Sequence, residues 1–342
     1  MLYDYSSYLN NSLYKNKGLT NFVNLGNSCY FNSVMSSLIN CLGLTDFLIK
    51  NKHLKLIGPK NRESPEFGYL LKYIQLLVFY FSKNYTLSLK SLYNDMFLFI
   101  PSLTKDHQND AQECMIGILN ILHIATSVNM IEGPEDTKIH KHLVLANREW
   151  VSNFKNDYSI VKHLFFGQYI QKLKCTKCYN TSYRYDPFLD ISLCFVNKKT
   201  PTIDDLLVHN FKRQEVEMTC EEHCKEITLF SKRTRIIKLP KYLIIHLKRF
   251  DKNSEKIQKM IGFSSDLDMS NYTSLVDKQS VNYKLISVIN HQGSTDFGHY
   301  FNFNKTFDGE WVKINNNTTK KIQPIDVCTK DAYVLIYELD SF

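Results

Sequence analysis

The sequence lacks the features that would direct a chain into or across a membrane. Residues 1–5 carry neither the basic residues nor the apolar core of a secretory signal. The longest apolar stretch, 68–81, is interrupted by Lys72 and Gln75 and is too short to span a bilayer. No linker rich in glycine, serine or proline divides the chain. We therefore expect an intracellular protein with no membrane partner, whose nine cysteines are thiols, zinc ligands or a nucleophile before they are disulfides.

The sequence does contain enough apolar material for a packed core. Of its 342 residues, 44% are hydrophobic and 13% aromatic, which excludes a wholly disordered chain and allows one large domain or two small ones. Lys and Arg number 42 against 34 Asp and Glu, and the resulting net charge of +8 forms no single tract. Such a charge favours an acidic partner surface or merely solubility. Because no basic and aromatic cluster accompanies it, we expect no nucleic acid as a partner.

The first half of the chain is patterned as helices. Over 30–42, apolar residues recur at every third or fourth position, and Gly43 is expected to end this helix. A second apolar helix is predicted over 69–81. A third opens at Asp110, with Glu113 three residues later in the spacing of a capping box.

The second half of the chain has the composition of strands. Short runs rich in β-branched and aromatic residues, separated by turn residues, predict strands over 242–250, 283–290, 300–307 and 332–339. Helices followed by strands indicate the α+β class, and we expect an enzyme with a cleft between two lobes.

Cys29 is the candidate nucleophile because it lies at the start of the first predicted helix. Unpaired N–H groups and the partial positive charge at a helix N-terminus stabilise a thiolate, and the same groups can donate to an oxyanion. Asn24, five residues earlier, supplies an amide that can act as a second oxyanion donor. An isolated cysteine is more often a small buried residue. The surrounding sequence Asn-Leu-Gly-Asn-Ser-Cys-Tyr favours the nucleophile instead.

A cysteine nucleophile needs a base and a group that orients the base. His299 is the best placed of the eleven histidines, at the start of a strand whose hairpin partner is predicted over 311–317. With a five-residue connection over 305–309, His299 lies opposite Asn315, and facing Cβ atoms are about 5 Å apart. A two-residue Asp-Gly turn would instead place Asn302 opposite Asn315. The sequence leaves this register open.

Taken together, these segments resemble the ubiquitin-specific proteases, a papain-like family of deubiquitinating cysteine proteases. The resemblance rests on five hallmark segments that occur in the family's order and cover nearly the whole chain. They are the cysteine segment 18–33, the segments 108–113, 166–168 and 239–250, and the histidine segment 291–300 with its continuation 311–316. The sequence departs from the family pattern at Ser28, where threonine is more usual, and in having asparagine rather than aspartate at the third catalytic position.

The resemblance implies a papain-like cysteine protease fold with a helical thumb, a β-rich palm and zinc-ribbon fingers. A single catalytic domain would occupy 18–342, with the thumb over about 18–150, the fingers over about 166–235 and the palm in the remainder. Residues 1–17 would form a short N-terminal extension.

For the catalytic site, the resemblance implies Cys29 as nucleophile, His299 as general base and then general acid, and Asn315 as the residue that orients the imidazole. Asn24 would donate to the oxyanion. Asn316 is an alternative to Asn315 as the orienting residue, or a further oxyanion donor.

The resemblance also implies a channel for the basic, glycine-ended tail of ubiquitin, since carboxylates suit a tail that contains arginine. Asp110 and Glu113 would hold this tail, with Gln108 and Gly298 beside them. Helix capping is the competing role for both carboxylates, above all for Asp110. The loop 292–298 is expected to be a mobile lid over the tail.

Two cysteine pairs have a spacing typical of zinc ligands. Two residues separate Cys175 from Cys178, and three separate Cys220 from Cys224. Two such pairs can supply a tetrahedral four-cysteine site for a structural Zn²⁺, and the resembled family carries a ribbon at this place. His223 stands at the two-residue spacing and is an alternative fourth ligand. A ribbon that has lost its metal is the other alternative.

These inferences predict a deubiquitinase that hydrolyses the isopeptide or peptide bond after the C-terminal glycine of ubiquitin through an acyl-enzyme on Cys29. Its partners would be ubiquitin and ubiquitinated proteins, and the need for an activating protein partner is left open. Two alternatives remain. One is a catalytically inactive ubiquitin-binding module, and the other is a protease for a ubiquitin-like modifier.

Overall fold

The computed structural model of the chain describes residues 19–50, 58–82, 86–130, 140–250, 255–274, 280–294 and 297–340. The extension predicted over 1–17 lies outside these residues. Within them, helices dominate the first half and strands the second, which confirms the α+β prediction.

Eight helices precede the first strand of the described residues. They are α1 (Cys29–Ile39), α2 (Leu42–Ile49), α3 (Pro59–Arg62), α4 (Pro65–Ser82), α5 (Lys90–Phe99), α6 (Ala111–Thr126), α7 (Lys141–Phe154) and α8 (Ile160–Phe165). α1 and α4 both pack against α6 in one apolar core. In the described part of the chain no single helix is long and apolar enough to cross a membrane; α1 and α2 taken together are, but a bend of 79° separates them.

The prediction that Gly43 ends the first helix is wrong. α1 ends at Ile39, and Gly43 lies inside α2. A glycine is needed there for close packing, because its N–H donates to the Tyr242 hydroxyl at 2.7 Å and a Cβ would lie 2.9 Å from that oxygen. Past the end of α1, the Asn40 side-chain amide donates to Ile286 O at 2.8 Å.

The two other predicted helices are present in the structure. The helix predicted over 69–81 is the longer α4, and α6 begins directly after Asp110. The Asp110 carboxylate accepts from the N–H groups of Gln112 at 2.6 Å and Glu113 at 3.3 Å. Asp110 therefore caps α6, as the sequence pattern indicates.

The first strands form a four-stranded antiparallel sheet in the order β2-β1-β5-β4. They are β1 (Gly167–Cys175), β2 (Thr181–Phe188), β4 (Gln214–Thr219) and β5 (Ile227–Lys238). The helix α9 (Ile203–Phe211) lies between β2 and β4 in the chain and packs against β5.

The second sheet has eight strands in the order β11-β10-β9-β8-β12-β6-β3, with β7 paired to β8. They are β3 (Asp190–Leu193), β6 (Tyr242–Leu247), β7 (Asp266–Asp268), β8 (Asn282–Gly293), β9 (Gly298–Lys305), β10 (Trp311–Asn315), β11 (Thr318–Ile322) and β12 (Ala332–Leu339). Short 3₁₀ helices occupy Ser270–Tyr272 and Pro324–Asp326. The four strands predicted from the sequence are β6, β8, β9 and β12, which are consecutive in this sheet. One face of the sheet packs on α1 and α8, and the other packs on α9.

Buried polar side chains join α1 to the eight-stranded sheet. Asn304 Nδ2 donates to Ser36 O at 3.1 Å, and Asn302 Nδ2 donates to Ser36 Oγ at 3.1 Å. On the neighbouring strand, Ser287 Oγ lies 2.8 Å from Ser37 Oγ. All five residues are buried, so water does not compete for these bonds. They fix the position of α1 against β8 and β9.

Candidate active site

Cys29 is the first residue of α1 and is buried, with 2% of its surface exposed. Ser28 occupies the N-cap position, but its side chain makes no bond to the N–H groups of the helix. Serine at this position ordinarily accepts such a bond. The first N–H groups of α1 therefore have no side-chain cap, and their partial positive charge acts on Cys29.

Three groups surround the Cys29 thiol. The Tyr300 N–H donates to Sγ at 3.4 Å, Gln108 Oε1 lies 3.5 Å from Sγ, and the His299 side chain lies close enough to lower the pKa of the thiol. Burial raises the pKa of Cys29, but the bonds from His299 and Tyr300 favour the thiolate, and the net result is a lowered pKa. A lowered pKa is what a thiol nucleophile requires.

His299 lies in β9 and connects Cys29 to Asn315. Its Nε2 is 2.7 Å from Asn315 Oδ1, which leaves Nδ1 as the ring nitrogen for the thiol. The hydrogen bond with Cys29 raises the pKa of His299, burial opposes that rise, and the bond to Asn315 supports it. A thiol with a lowered pKa beside an imidazole with a raised pKa favours a thiolate–imidazolium pair.

Neither of the two hairpin registers considered from the sequence is the one observed, although the connection does have five residues. Lys305 pairs with Trp311, so the five-residue connection is 306–310 and begins one residue later than expected. This displacement moves the partner of every β9 residue by two positions. His299 and Asn315 are therefore diagonal neighbours on one face of the hairpin, and side chains in this relation can still meet.

Asn316 is not the residue bonded to His299 Nε2, whose partner is Asn315. Its backbone is in the left-handed region, with φ of 49°, and its carbonyl accepts from the Phe22 N–H at 3.2 Å. Its side-chain Oδ1 is buried and has no hydrogen-bond partner among the described residues. The geometry therefore pairs Asn315, rather than Asn316, with the imidazole. An oxyanion role for Asn316 stays a prediction.

Asn24 is exposed and is held at one end of its side chain. The Ser28 hydroxyl donates to Asn24 Oδ1 at 3.1 Å. The amide nitrogen is then the end of Asn24 that is left to donate to an oxyanion. That role also stays a prediction.

The residues predicted to hold a ubiquitin tail differ in what they already contact. Gln108 lies against the Cys29 thiol. Asp110 uses both carboxylate oxygens, one for the α6 cap and one for the Tyr333 hydroxyl. Glu113 is exposed and borders a cavity of about 380 Å³ beside α6. Glu113 is therefore the carboxylate better placed to meet a basic tail, and tail binding by all of them stays a prediction.

The four predicted metal ligands lie together at one end of the four-stranded sheet. The sulfur atoms of Cys175, Cys178, Cys220 and Cys224 are all within 4.8 Å of one another. The separation is 4.0 Å between Cys175 and Cys224 and 3.6 Å between Cys178 and Cys220. A tetrahedral zinc with Zn–S bonds of about 2.3 Å needs S···S separations of about 3.8 Å. The cluster therefore has the dimensions of a four-thiolate metal site.

Both cysteine pairs end in a closed backbone turn, which is one residue longer in the second pair. The residue after the second cysteine, Tyr179 in one pair and Lys225 in the other, is in the left-handed region with φ of 64° and 58°. Its N–H donates to the carbonyl of the first cysteine, at 3.1 and 2.8 Å respectively. In the longer pair this turn brings Cys224 to the cluster, whereas the His223 side chain is 56% exposed. The alternative with His223 as the fourth ligand is not what the structure shows.

Residues 20–337 match the family model described as ubiquitin carboxyl-terminal hydrolase. The chain belongs to this family. Ubiquitin carboxyl-terminal hydrolases are cysteine-type deubiquitinating enzymes, and the resemblance inferred from the sequence segments is confirmed.

Curated hydrolases of this family are similar to the chain along most of its length. Ubiquitin carboxyl-terminal hydrolase 2 of Gallus gallus is 31% identical over 341 residues, which cover 95% of this chain and 94% of the relative. The hydrolase of the same name from Bos taurus is 29% identical over 343 residues, which cover 95% of this chain and 56% of the relative. The chain thus spans little more than half the length of the bovine relative.

The fold is also that of solved hydrolases. The SAGA DUB module Ubp8/Sgf11/Sus1/Sgf73 bound to monoubiquitin gives a TM-score of 0.72 at 24% identity, covering 95% of this chain and 70% of the matched chain. This likeness establishes the fold, and with the cysteine cluster at the end of the four-stranded sheet it confirms the predicted fold class.

The loop expected to form a lid in this hydrolase is shorter than predicted. β8 ends at Gly293 and β9 begins at Gly298, and the two glycines pair, so only 294–297 connect the strands. Residues 295–296 lie outside the described residues, and the lid stays a prediction. Gly298 also packs closely, because a Cβ there would lie 2.1 Å from His291 Nε2. Glycine at this position therefore lets His291 approach the strand.

Arg249 is a residue of the hydrolase whose role the sequence did not reveal, beyond its place in one hallmark segment. Its side chain is fully buried. Nε donates to Ala332 O at 2.6 Å, and Nη1 donates to Ile257 O at 3.0 Å and to Lys259 O at 2.9 Å. Burial lowers the pKa of Arg249 to about 10. The guanidinium ties the chain that follows β6 to the start of β12.

Proposed function

We propose that the chain is an active deubiquitinase, which hydrolyses the isopeptide or peptide bond after the C-terminal glycine of ubiquitin. The observation that carries this proposal is the position of His299, whose Nε2 lies 2.7 Å from Asn315 Oδ1 and whose interaction with Cys29 lowers the pKa of the thiol. The similar Ubp8 module is described bound to monoubiquitin, which supports ubiquitin as the modifier.

The reaction begins with the Cys29 thiolate. Its sulfur attacks the carbonyl carbon of the terminal glycine, and the π electrons of the carbonyl move to its oxygen. The N–H groups at the start of α1 and the Asn24 amide stabilise this oxyanion. His299, as imidazolium, gives its proton to the leaving lysine nitrogen, the C–N bond breaks, and a thioester remains on Cys29.

Water then releases the modifier. Neutral His299 takes a proton from a water molecule, whose oxygen attacks the thioester carbonyl. The C–S bond breaks, the Cys29 thiolate and the His299 imidazolium are restored, and ubiquitin leaves as a carboxylic acid that ionises in solution. Asn315 exchanges no proton. Its Oδ1 accepts from Nε2–H and thereby keeps Nδ1 at the thiol.

The modifier's tail is assigned to Glu113 and the cavity beside α6. Glu113 is the exposed carboxylate there and can pair with an arginine of the tail. Asp110 acts as the helix cap that positions Glu113 three residues later. Gln108 lies close enough to the thiol to contact the residue whose bond is cleaved.

A structural zinc is part of the same proposal. The donor set consists of four thiols with sulfur separations close to those of a zinc tetrahedron, and thiolates suit Zn²⁺, whereas Ca²⁺ and Mg²⁺ prefer oxygen ligands. When bound, the metal cross-links the hairpin β1–β2 to the hairpin β4–β5. With four thiolate ligands it would have no open coordination position, which is typical of a structural site.

An intracellular location and an activating partner complete the proposal. All nine cysteines are free thiols in the structure, which suits a reducing compartment. The similar Ubp8 chain is described with Sgf11, Sus1 and Sgf73, which supports assembly with other proteins. The need for an activating partner is tested by measuring the kinetics of the isolated chain. Turnover at a typical enzyme rate of about 10 s⁻¹ without added protein would contradict that need.

One experiment separates this function from its alternatives. The protein is incubated with ubiquitin that carries a thiol-reactive group at its C-terminus, and separately with ubiquitin-like proteins that carry the same group. We expect an adduct with ubiquitin on Cys29 and none in Cys29→Ala. The exposed Cys194 is the internal control, because an adduct there reports unspecific alkylation.

Two other results would each identify one of the alternative functions. An adduct with a ubiquitin-like protein alone identifies that protein as the modifier. Binding of ubiquitin without an adduct and without hydrolysis identifies an inactive binding module.

A further inference from the structure

The Ser28 side chain is fully buried beside the nucleophile, yet its bonds point away from α1. The Leu25 N–H donates to Ser28 Oγ at 2.8 Å, and this hydroxyl donates to Asn24 Oδ1 at 3.1 Å. The Ser28 N–H closes the turn by donating to Gly26 O at 2.7 Å. Gly26 has a φ of 101°, a conformation that glycine adopts without strain.

The direction of these bonds decides which end of the Asn24 amide is free. The Ser28 hydroxyl accepts from the Leu25 N–H and donates its single proton to Asn24. Asn24 accepts this proton through Oδ1, the end of the amide that is turned toward Ser28. The NH₂ group is therefore the free end. Without this bond the side-chain amide can rotate and exchange the positions of Oδ1 and Nδ2, because its two ends are nearly equal in size.

We propose that Ser28 is a positioning residue, which orients Asn24 so that its N–H groups, rather than its carbonyl oxygen, serve the oxyanion formed at Cys29. This inference rests on the proposed hydrolase function and on Asn24 as an oxyanion donor. Because the Ser28 hydroxyl bonds to Asn24, it does not cap the N–H groups of α1. The direction of the Ser28 side chain therefore determines the state of both sets of oxyanion donors, which are the Asn24 amide and the N–H groups of α1. Threonine carries the same hydroxyl and can take over this role.

Steady-state kinetics with a fluorogenic ubiquitin substrate measure the effect. Ser28→Ala should lower kcat about tenfold, which is less than the 10²–10³-fold loss typical when an oxyanion donor is removed outright. KM should change by less than about twofold, and Ser28→Thr should restore kcat. Ser33→Ala is the matched control, because Ser33 is a buried serine one turn further along α1, and its kinetics should stay near wild type.

Alkylation of Cys29 distinguishes positioning of Asn24 from general support of the site. Iodoacetamide reacts by displacement at a saturated carbon, which needs a thiolate but forms no oxyanion. Mass spectrometry of the Cys29 peptide should therefore give a wild-type alkylation rate for Ser28→Ala while hydrolysis falls. A parallel fall of both rates would overturn the proposal, because Ser28 would then support Cys29 itself.

The double variant Asn24→Ala/Ser28→Ala supplies the remaining comparison. If Ser28 acts through Asn24, its replacement has no further effect once Asn24 is alanine. If the kcat losses of the two single variants multiply in the double variant, while the wild-type protein hydrolyses ubiquitin substrates, the role of Ser28 is overturned and the proposed function stands. A wild-type protein that is alkylated at Cys29 but does not hydrolyse ubiquitin substrates would contradict the proposed function, and this inference with it.

Discussion

His299 and Asn315 are hydrogen-bonded at 2.7 Å although the two residues do not face each other in their hairpin. They lie on the same face, displaced by two positions in register. Diagonal neighbours of this kind are about 7–8 Å apart, and the imidazole and amide side chains together bridge that distance. The orientation of the base therefore depends on the reach of both side chains.

Replacement of Asn315 should affect turnover more than binding. Asn315→Ala removes the acceptor for Nε2–H and frees the ring to rotate, so kcat should fall roughly 10²-fold, within the range that a positioned acid–base group supplies. Asn315→Asp should keep much of the activity, because a carboxylate accepts the same bond. Kinetics with a fluorogenic ubiquitin substrate check both variants. If Asn316→Ala were inactive and Asn315→Ala near wild type, the orienting residue would be Asn316.

The pH dependence follows from the opposite shifts at Cys29 and His299. The pKa of the thiol is lowered and that of the imidazole is raised, and both shifts favour the thiolate–imidazolium pair at intermediate pH. kcat/KM should fall at acid pH as the thiolate is protonated and at alkaline pH as the imidazolium loses its proton. In His299→Ala, the rise of Cys29 alkylation with pH should move to higher pH. An unmoved profile would show that another group lowers the thiol pKa.

Metal content tests the cysteine cluster. Purified protein should contain about one zinc per chain, as expected for one four-cysteine site. Cys178→Ser should lose the metal and lower the midpoint of thermal unfolding, since a structural zinc contributes to folding. His223→Ala is the control. It should retain the bound zinc and the wild-type midpoint of thermal unfolding, because His223 lies outside the cluster. Metal-free protein that is folded and active after purification without chelators would show that the ribbon has lost its zinc.

Gly298 should tolerate no side chain. In Gly298→Ala, the new Cβ would lie 2.1 Å from His291 Nε2 and 2.7 Å from Ser294 O, so the backbone next to His299 must shift. We expect kcat/KM to fall at least about tenfold, as for other small displacements of a catalytic group. Gly68→Ala, on α4, has nothing within 4 Å of the new Cβ and should keep wild-type kinetics. Equal kinetics for both variants would contradict a tight fit at Gly298.

The sequence predicted which side chains meet at the site, but not the geometry of their meeting. Short segments placed Cys29, His299 and Asn315 in one site, and the structure brings them together. The sequence left the register open, because a five-residue connection can start at Lys305 or at Thr306. The structure selects the later one, where the Thr306 N–H donates to Glu310 O at 2.7 Å.

Tertiary contacts explain the other differences. A glycine after an apolar helix usually marks its end, but Gly43 is kept inside α2 by its contact with Tyr242. Likewise, cysteine spacing alone did not decide between His223 and Cys224, since both residues bind zinc. The backbone turn ending at Lys225 decides in favour of Cys224. The end of a helix and the identity of a zinc ligand thus depend on residues that are close in space, and a local sequence pattern does not contain this information.

The buried polar contacts between α1 and the strands β8 and β9 determine how precisely two distant parts of the chain are aligned. The thiol of Cys29 and the N–H of Tyr300 that contacts it are 271 positions apart. Apolar packing is non-directional and tolerates slight sliding, whereas hydrogen bonds hold their partners to narrow distances and angles. Substitutions at this interface should therefore impair catalysis in molecules that remain folded, while apolar substitutions elsewhere in the core chiefly reduce the number of folded molecules. We therefore expect loss of alignment and loss of fold to be separable in this chain.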